Sequence, residues 1–231
     1  PNLVEGDVLD CRELTPLSRE TRPPARYTEA SLVEMLEKEG IGRPSTYATI
    51  IDTILKREYA KKQGNALVPT FTAFGVTQLM EGNFEQFVDT GFTAEMEQTL
   101  DRVAQGSVDW LPWLRRFWEG NDKGLFSQAQ KGREEIDPRA ACTLDGFGEL
   151  PARVRIGRYG PYLEVPGETP EDLLRVSIPE TVAPADLTED MAKDLIRQKI
   201  EGPTPIAEEP ETGEKAYLLV GRYGPYLQLG E

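Results

Sequence analysis

The sequence predicts a mainly α, winged-helix-like domain followed by small α+β repeat modules. Three observations carry that reading. Two segments with helical apolar periodicity, joined by a glycine turn, occupy about residues 28–57. A Gln63-Gly64-Asn65 turn between two short strand-like runs comes directly after them. A GRYGPYL string at Gly157–Leu163 recurs at Gly221–Leu227, an offset of 64 residues.

The elements follow in order. Residues 1–26 read as extended, because Arg22-Pro23-Pro24 bars a helix. Thr28 offers an N-cap, with Glu29 in the first turn. Leu32, Val33, Met35 and Leu36 form one apolar face, Gly40 suits the position after the helix end, and Ile41 closes it. A second helix begins at Ser45 or Thr46. Its stripe is Tyr47, Ile50, Ile51, Ile54 and Leu55, a spacing of three and four. The hairpin "EYAKKQGNALVPT" supplies the wing. Thr70 or Thr72 caps a helix toward Met80, and Thr93 caps "AEMEQTLDRVA" with Met96, Leu100 and Val103 inward. "DWLPWLRRFWEG" reads as a further helix started or kinked by Pro112. Its three tryptophans and Phe117 are expected in a core or a domain contact.

Each GRYGPYL copy reads as strand, tight turn, strand, with glycines for the turn and Pro161 or Pro225 to stiffen it. "PADLTEDMAKDLIRQKI" between the copies reads as a helix. The expected organisation is a DNA-binding domain over 1–120, a polar linker over 121–140, a first repeat module over 141–202 and a truncated second repeat over 203–231. A chain that opens at Pro1 and stops just after the second motif reads as a piece of something longer.

Bulk chemistry narrows the function. The 231 residues carry 39% hydrophobic and 29% charged residues, the balance of a soluble globular protein. No apolar run approaches the roughly 20 residues of a membrane helix, and nothing resembles a signal peptide. Two distant cysteines, Cys11 and Cys142, fit a reducing, cytoplasmic setting and make no zinc ribbon. With no histidine, His-based metal sites and Ser-His or Cys-His catalysis are excluded. The net charge of −14 is uneven: 10 basic and 11 acidic residues in 1–62 (net −1), 7 and 12 in 63–139 (−5), 9 and 17 in 140–231 (−8). A near-neutral start can still focus arginines on one groove. Strong non-specific duplex binding is disfavoured.

Two candidate nucleic-acid sites stand out. Arg43, Ser45 and Thr46 lie at the start of the second helix, where free amide groups and a partial positive charge favour a phosphate. The alternative is that Ser45 merely caps while Arg43 is solvated. Arg158 with Tyr159, and Arg222 with Tyr223, place a guanidinium beside an aromatic ring, a pairing suited to stacking on single-stranded bases. The alternative is that the tyrosines, including Tyr162 and Tyr226, pack the turn. Acidic clusters such as Glu134–Asp137 and Glu208–Glu214 lack ligand spacing and read as solvated loops, so no metal set is assigned.

The stretches "PPARYTEASLVEMLEKEGIGRPSTYATIIDTILKREYA", "LVPTFTAFGV" and "FTAEMEQTLDRVAQG" resemble bacterial DNA topoisomerase I, a type IA family, over about residues 7–118. The GRYGPYL strings resemble the C-terminal repeats that some bacterial members carry in place of, or beside, zinc ribbons. The resemblance implies a parent enzyme that cuts one DNA strand through a phosphotyrosine link, passes the other strand and reseals. It would use Mg²⁺ held by an acidic TOPRIM domain and no ATP. Two departures follow. The TOPRIM domain is absent from this sequence. So is the tyrosine-x-arginine-threonine context of the nucleophile, which "RYTE" at Arg26–Glu29 and "STYA" at Ser45–Ala48 do not match. Tyr47 lies on the apolar stripe and is expected in the core. The chain is therefore expected to contain no catalytic residue or cofactor and to bind single-stranded DNA. Its partner would be the missing N-terminal catalytic part. In the family the GRPST segment lies beside the cleavage site, so Arg43, Ser45 and Thr46 would hold the backbone near the scissile phosphate.

Two other classes compete. A winged-helix regulator would read duplex DNA, but Thr49, Asp52, Thr53 and Lys56 are a poor set of base readers. A protein-interaction tail would use the repeats to dock RNA polymerase.

Overall fold

The computed structural model describes residues 4–8, 10–21, 23–167, 172–202, 205–221 and 224–230. Among them are nine α-helices and three small antiparallel sheets. The described residues before Tyr27 form no helix or strand and are exposed, in keeping with the proline pair.

Helix α1 spans Glu29–Glu39 and is closed at both ends by its own sequence. Thr28 Oγ1 accepts from Ser31 N while Ser31 Oγ accepts from Thr28 N, a reciprocal cap. Gly40, at φ 73°, ends the helix. Helix α2 spans Tyr47–Lys56, one residue after Thr46 and two after Ser45, and its apolar stripe faces inward with Ile51 buried. Strands β1 (Ala60–Gln63) and β2 (Ala66–Pro69) make the expected hairpin, with Gln63 paired to Ala66 across the turn. Leu67 N donates to Tyr27 O, so the residues before α1 lie beside β2.

Helix α3 (Phe71–Asn83) takes its cap from Thr70. A short α4 (Glu85–Val88) leads to α5 (Thr90–Ala104), which is capped by Asp89 rather than Thr93. Thr93 instead turns its hydroxyl back to Asp89 O. Helix α6 (Trp110–Glu119) starts at Asp109, with Pro112 in its first turn, where no helical donor is lost. Phe87, Phe92, Trp113 and Phe117 pack ring against ring at 5.5–6.4 Å between centroids, tying α4, α5 and α6 together. Two inward assignments need correction. Leu100 is exposed, and Trp110 and Trp118 are about half exposed. Only Trp113, one turn from Phe117, reaches the aromatic cluster.

The stretch 121–140, read as a linker from its polarity, is helical. It holds a 3-10 turn at Asn121–Lys123, α7 (Leu125–Glu135) and α8 (Pro138–Ala141), whose N-cap is Asp137. Polarity misled because these helices bury only a narrow strip, such as Gly132 beneath Phe84.

The first repeat module is a sheet of β3 (Arg153–Gly157), β4 (Gly160–Val165) and β5 (Leu174–Ser177), followed by α9 (Glu189–Glu201). Val154 and Leu163 are wholly buried on one sheet face, under Leu187 and Ala192 with Leu195 and Ile196 around them. Each such side chain stabilises by about 1.5–3 kcal/mol. Phe71 from α3 belongs to the same core. Gly75 of α3 lies so near Ile156 that an added Cβ would come within 2.5 Å of its Cδ1. Gln78 clamps the contact: its amide donates to Thr143 O and its carbonyl accepts from Asp145 N, both at 2.9 Å. The second repeat forms its own sheet, β6 (Pro205–Glu208), β7 (Lys215–Gly221) and β8 (Gly224–Leu229), in the order β6-β7-β8.

Candidate nucleic-acid interface

The segment Gly40–Thr46 joins α1 to α2. Gly42 sits at φ 77° and is buried, and a Cβ there would meet Tyr47 Cε1 at 3.1 Å and Ile50 Cδ1 at 3.0 Å. Only glycine satisfies both conditions. Its N–H donates to Glu97 Oε1 at 3.1 Å, which anchors the loop to α5.

Arg43 is not free. Nη1 donates to Gly42 O at 2.6 Å and Gly40 O at 3.4 Å. Nη2 donates to Asp101 Oδ2 at 2.7 Å, and Glu97 Oε2 lies 3.8 Å from Nη1. The hydrogen bond to Asp101 is the main reason the guanidinium's pKa is raised further above its ordinary value. Thr46 is also occupied: its hydroxyl accepts from Arg43 N at 2.8 Å and donates to Arg43 O at 3.1 Å. Thr46 stands at the N-cap position of α2 but caps nothing in the helix. Ser45 is exposed, and its hydroxyl has no hydrogen-bond partner among the described residues. Of the three residues, Ser45 alone presents an uncommitted polar group. Tyr47 is half-buried against Gly42, in line with its place on the apolar stripe.

The second candidate lies at the β3–β4 turn. Gly157 pairs with Gly160, leaving Arg158 and Tyr159 as the two turn residues. Tyr159 is 92% exposed, with Arg158 Cζ 5.6 Å from its ring centroid. Tyr162 is half-buried instead, with Arg175 Cζ 6.0 Å from its ring. The two tyrosines thus divide between the stacking and packing readings. Arg222 and Tyr223 lie outside the described residues.

Two features escaped the sequence reading. One is the carboxylate pair on α5 that holds Arg43, from residues more than 50 positions away, for which no local signal exists. The other is a buried ion pair. Arg155 Nη1 donates to both oxygens of Glu164 at 3.2 and 3.0 Å, and Nη2 to Arg139 O at 2.8 Å. Strand alternation outward from the turn could have found it, since it places both residues on the face opposite Val154 and Leu163. Among the described residues no three of Asp, Glu and Cys gather as a metal-binding group. No helix there is long and apolar enough to cross a membrane.

Comparison with known proteins agrees with these elements. The family profile described as DNA topoisomerase matches residues 1–115, and that described as topoisomerase C-terminal repeat matches residues 149–204. The chain is 54% identical over 230 residues to DNA topoisomerase 1 of Synechococcus elongatus, covering 100% of this chain and 26% of that protein. It is 42% identical to DNA topoisomerase 1 of Streptomyces coelicolor, covering 98% of this chain and 25% of that one. The chain thus spans about a quarter of the length of these relatives. Full-length topoisomerase I from Thermotoga maritima superposes with a TM-score of 0.54 at 32% identity, over 71% of this chain and 27% of that structure. With helical part and repeat matched separately by two topoisomerase profiles, and nearly its whole length by these relatives, the chain belongs to the bacterial DNA topoisomerase I family.

Proposed function

We propose that the chain is a single-strand-holding segment of a type IA DNA topoisomerase, one that binds single-stranded DNA and does not cleave it alone. The observation that carries this reading is Tyr159, almost fully exposed at a hairpin tip beside Arg158. An unburied aromatic next to a guanidinium is a stacking platform for a base and a counter-charge for its phosphate. By repetition, Arg222 and Tyr223 serve the same role. Ser45, with its uncommitted hydroxyl, faces the strand's backbone at the start of α2, and Thr46 joins it only by giving up its hydrogen bonds to the Arg43 backbone. Arg43 joins them only by exchanging Asp101 for a phosphate, so it contributes less than a free arginine would.

In this reading α1, the Gly40–Thr46 turn, α2 and the β1–β2 hairpin act as a winged-helix-like unit. The outer face of α2 favours a single strand over a duplex. Lys56 is paired to Asp52, and Thr53 donates to Thr49 O at 2.7 Å, so few donors are left to read bases in a major groove. For the complete protein we propose the activity of the type IA enzymes: ATP-independent relaxation of negatively supercoiled DNA by transient cleavage and religation of one strand, in the bacterial cytoplasm. Magnesium is proposed for the complete protein, as the family resemblance implies, and is assigned to no residue here.

The test is fluorescence anisotropy with one oligonucleotide, single-stranded and as a duplex. Single strands bind more tightly, and Tyr159→Ala weakens them about five-fold or more, the loss of one base stack. Equal affinity for the duplex refutes the reading. End-labelled single strands with Mg²⁺ leave no labelled protein band after denaturation. A band that vanishes on replacing one tyrosine would overturn the proposal that the chain is inactive alone.

A further inference from the structure

The two faces of the first module's sheet are chemically unlike. One holds Val154, Leu163 and Val176 in the core. On the other, strand pairing sets out two rows across β3, β4 and β5: Arg153–Glu164–Arg175 and Arg155–Tyr162–Ser177. Residues directly opposed on neighbouring strands share a face. Arg139 of α8 reaches the same Glu164, at 3.4 Å. Four arginines therefore gather about one carboxylate's position: Arg139 and Arg155 contact it, while Arg153 and Arg175 stand opposite it on the flanking strands.

These arginines are not equivalent. Arg155 is buried and bound to Glu164, and Arg139 shares that carboxylate. Arg153 and Arg175 are exposed, and neither has an acidic partner among the described residues. The rows hold their positive charge on a rigid surface, which is the electrostatic footprint a polyanion requires. The corresponding positions of β7 and β8 do not carry it. Tyr217, Leu219 and Gln228 stand 64 residues after Arg153, Arg155 and Glu164, in the same cross-strand pairing: Tyr217 with Gln228 and Leu219 with Tyr226. On these two strands the repeat kept the turn motif and replaced the three charged residues with uncharged ones.

We propose that the polar sheet face of the first module is a track for the phosphodiester backbone of single-stranded nucleic acid, contacted by Arg153 and Arg175, and that the corresponding face of β7 and β8 is not. This rests on the reading of the chain as a single-strand binder. The same β3–β4 hairpin then supplies stacking at its tip, through Tyr159, and phosphate contacts along its face.

The experiment measures binding of the full chain to fluorescein-labelled oligo(dT) over a series of salt concentrations. Each phosphate neutralised contributes about 0.7 to the slope of log affinity against log salt for single strands. The double variant Arg153→Gln/Arg175→Gln therefore lowers that slope by about 1.4, with affinity down about 25-fold near 0.1 M salt. Arg153→Lys/Arg175→Lys keeps the charge and the slope, and Tyr217→Phe in the second module leaves the slope unchanged. Circular dichroism confirms that each exposed-residue variant is folded. A wild-type slope in the Gln/Gln variant overturns the phosphate track while leaving single-strand binding standing. Failure of the wild-type chain to bind oligo(dT) at low salt overturns both.

Discussion

Replacing Glu164 by Gln tests the buried ion pair of the first module. The two side chains are 8% and 4% exposed, so Glu164→Gln leaves the Arg155 charge uncompensated away from water. Removing one member of such a pair costs about 3–5 kcal/mol. Arg139 softens this little, because its side chain is 63% exposed and only its carbonyl touches Arg155. Arg155→Leu costs a similar amount, because it leaves the buried Glu164 carboxylate only the longer 3.4 Å contact with the largely exposed Arg139. The combined Arg155→Leu/Glu164→Gln variant behaves differently, because no charge remains to be desolvated. The second module already carries that combination, with Leu219 and Gln228 at the equivalent positions. The pair is also imperfect: Arg155 Nε is buried without a hydrogen-bond partner among the described residues. The double variant is therefore expected within about 1 kcal/mol of wild type, or more stable. Urea unfolding and thermal melting, both followed by circular dichroism, measure all four proteins. Each single variant melts about 6–20 °C lower, at roughly 2–4 °C per kcal/mol for a chain of this size. Additive effects in the double variant, or single variants losing less than about 1 kcal/mol, would refute the reasoning.

The two repeats predict a second contrast. Leu163→Ala costs about 2–5 kcal/mol because Leu163 is fully buried. Leu227→Ala, at the corresponding position but 67% exposed, stays within about 0.5 kcal/mol. Gly42→Ala destabilises by about 1–3 kcal/mol, since a side chain at φ 77° is strained and Tyr47 and Ile50 must also give way; unchanged urea unfolding would contradict this. Asp101→Ala removes the partner of Arg43 Nη2 and raises single-strand affinity several-fold in an anisotropy titration. Arg43→Ala abolishes that gain, and a gain that persists without Arg43 would remove the guanidinium from the site.

Much of this protein is written locally. Thr28 and Gly40 bound α1, the stripe from Tyr47 to Leu55 sets the inner face of α2, and Gln63-Gly64-Asn65 turns the hairpin. The repeated GRYGPYL string places Arg158 and Tyr159 at a two-residue turn. Caps, turns and periodicity act over a few residues, so they can be read without knowing what packs against what. The family resemblance was legible for the same reason, being carried by contiguous strings. Other features depended on partners far along the chain. Whether Arg43 is free or clamped is decided by Glu97 and Asp101, brought to it only when α5 docks on the α1–α2 turn. The helices of residues 121–140 gain their footing from packing too narrow to leave a broad apolar stripe, and Leu100 points outward although its spacing suits a core. Phe71 and Gly75 lock the helical part onto the first repeat through residues 69 to 81 positions away. Four arginines around Glu164 become a surface only once three strands and α8 are in register. Charge pairing and burial are properties of three-dimensional neighbours, and a sequence states only which groups exist, not which of them tertiary packing will leave uncompensated.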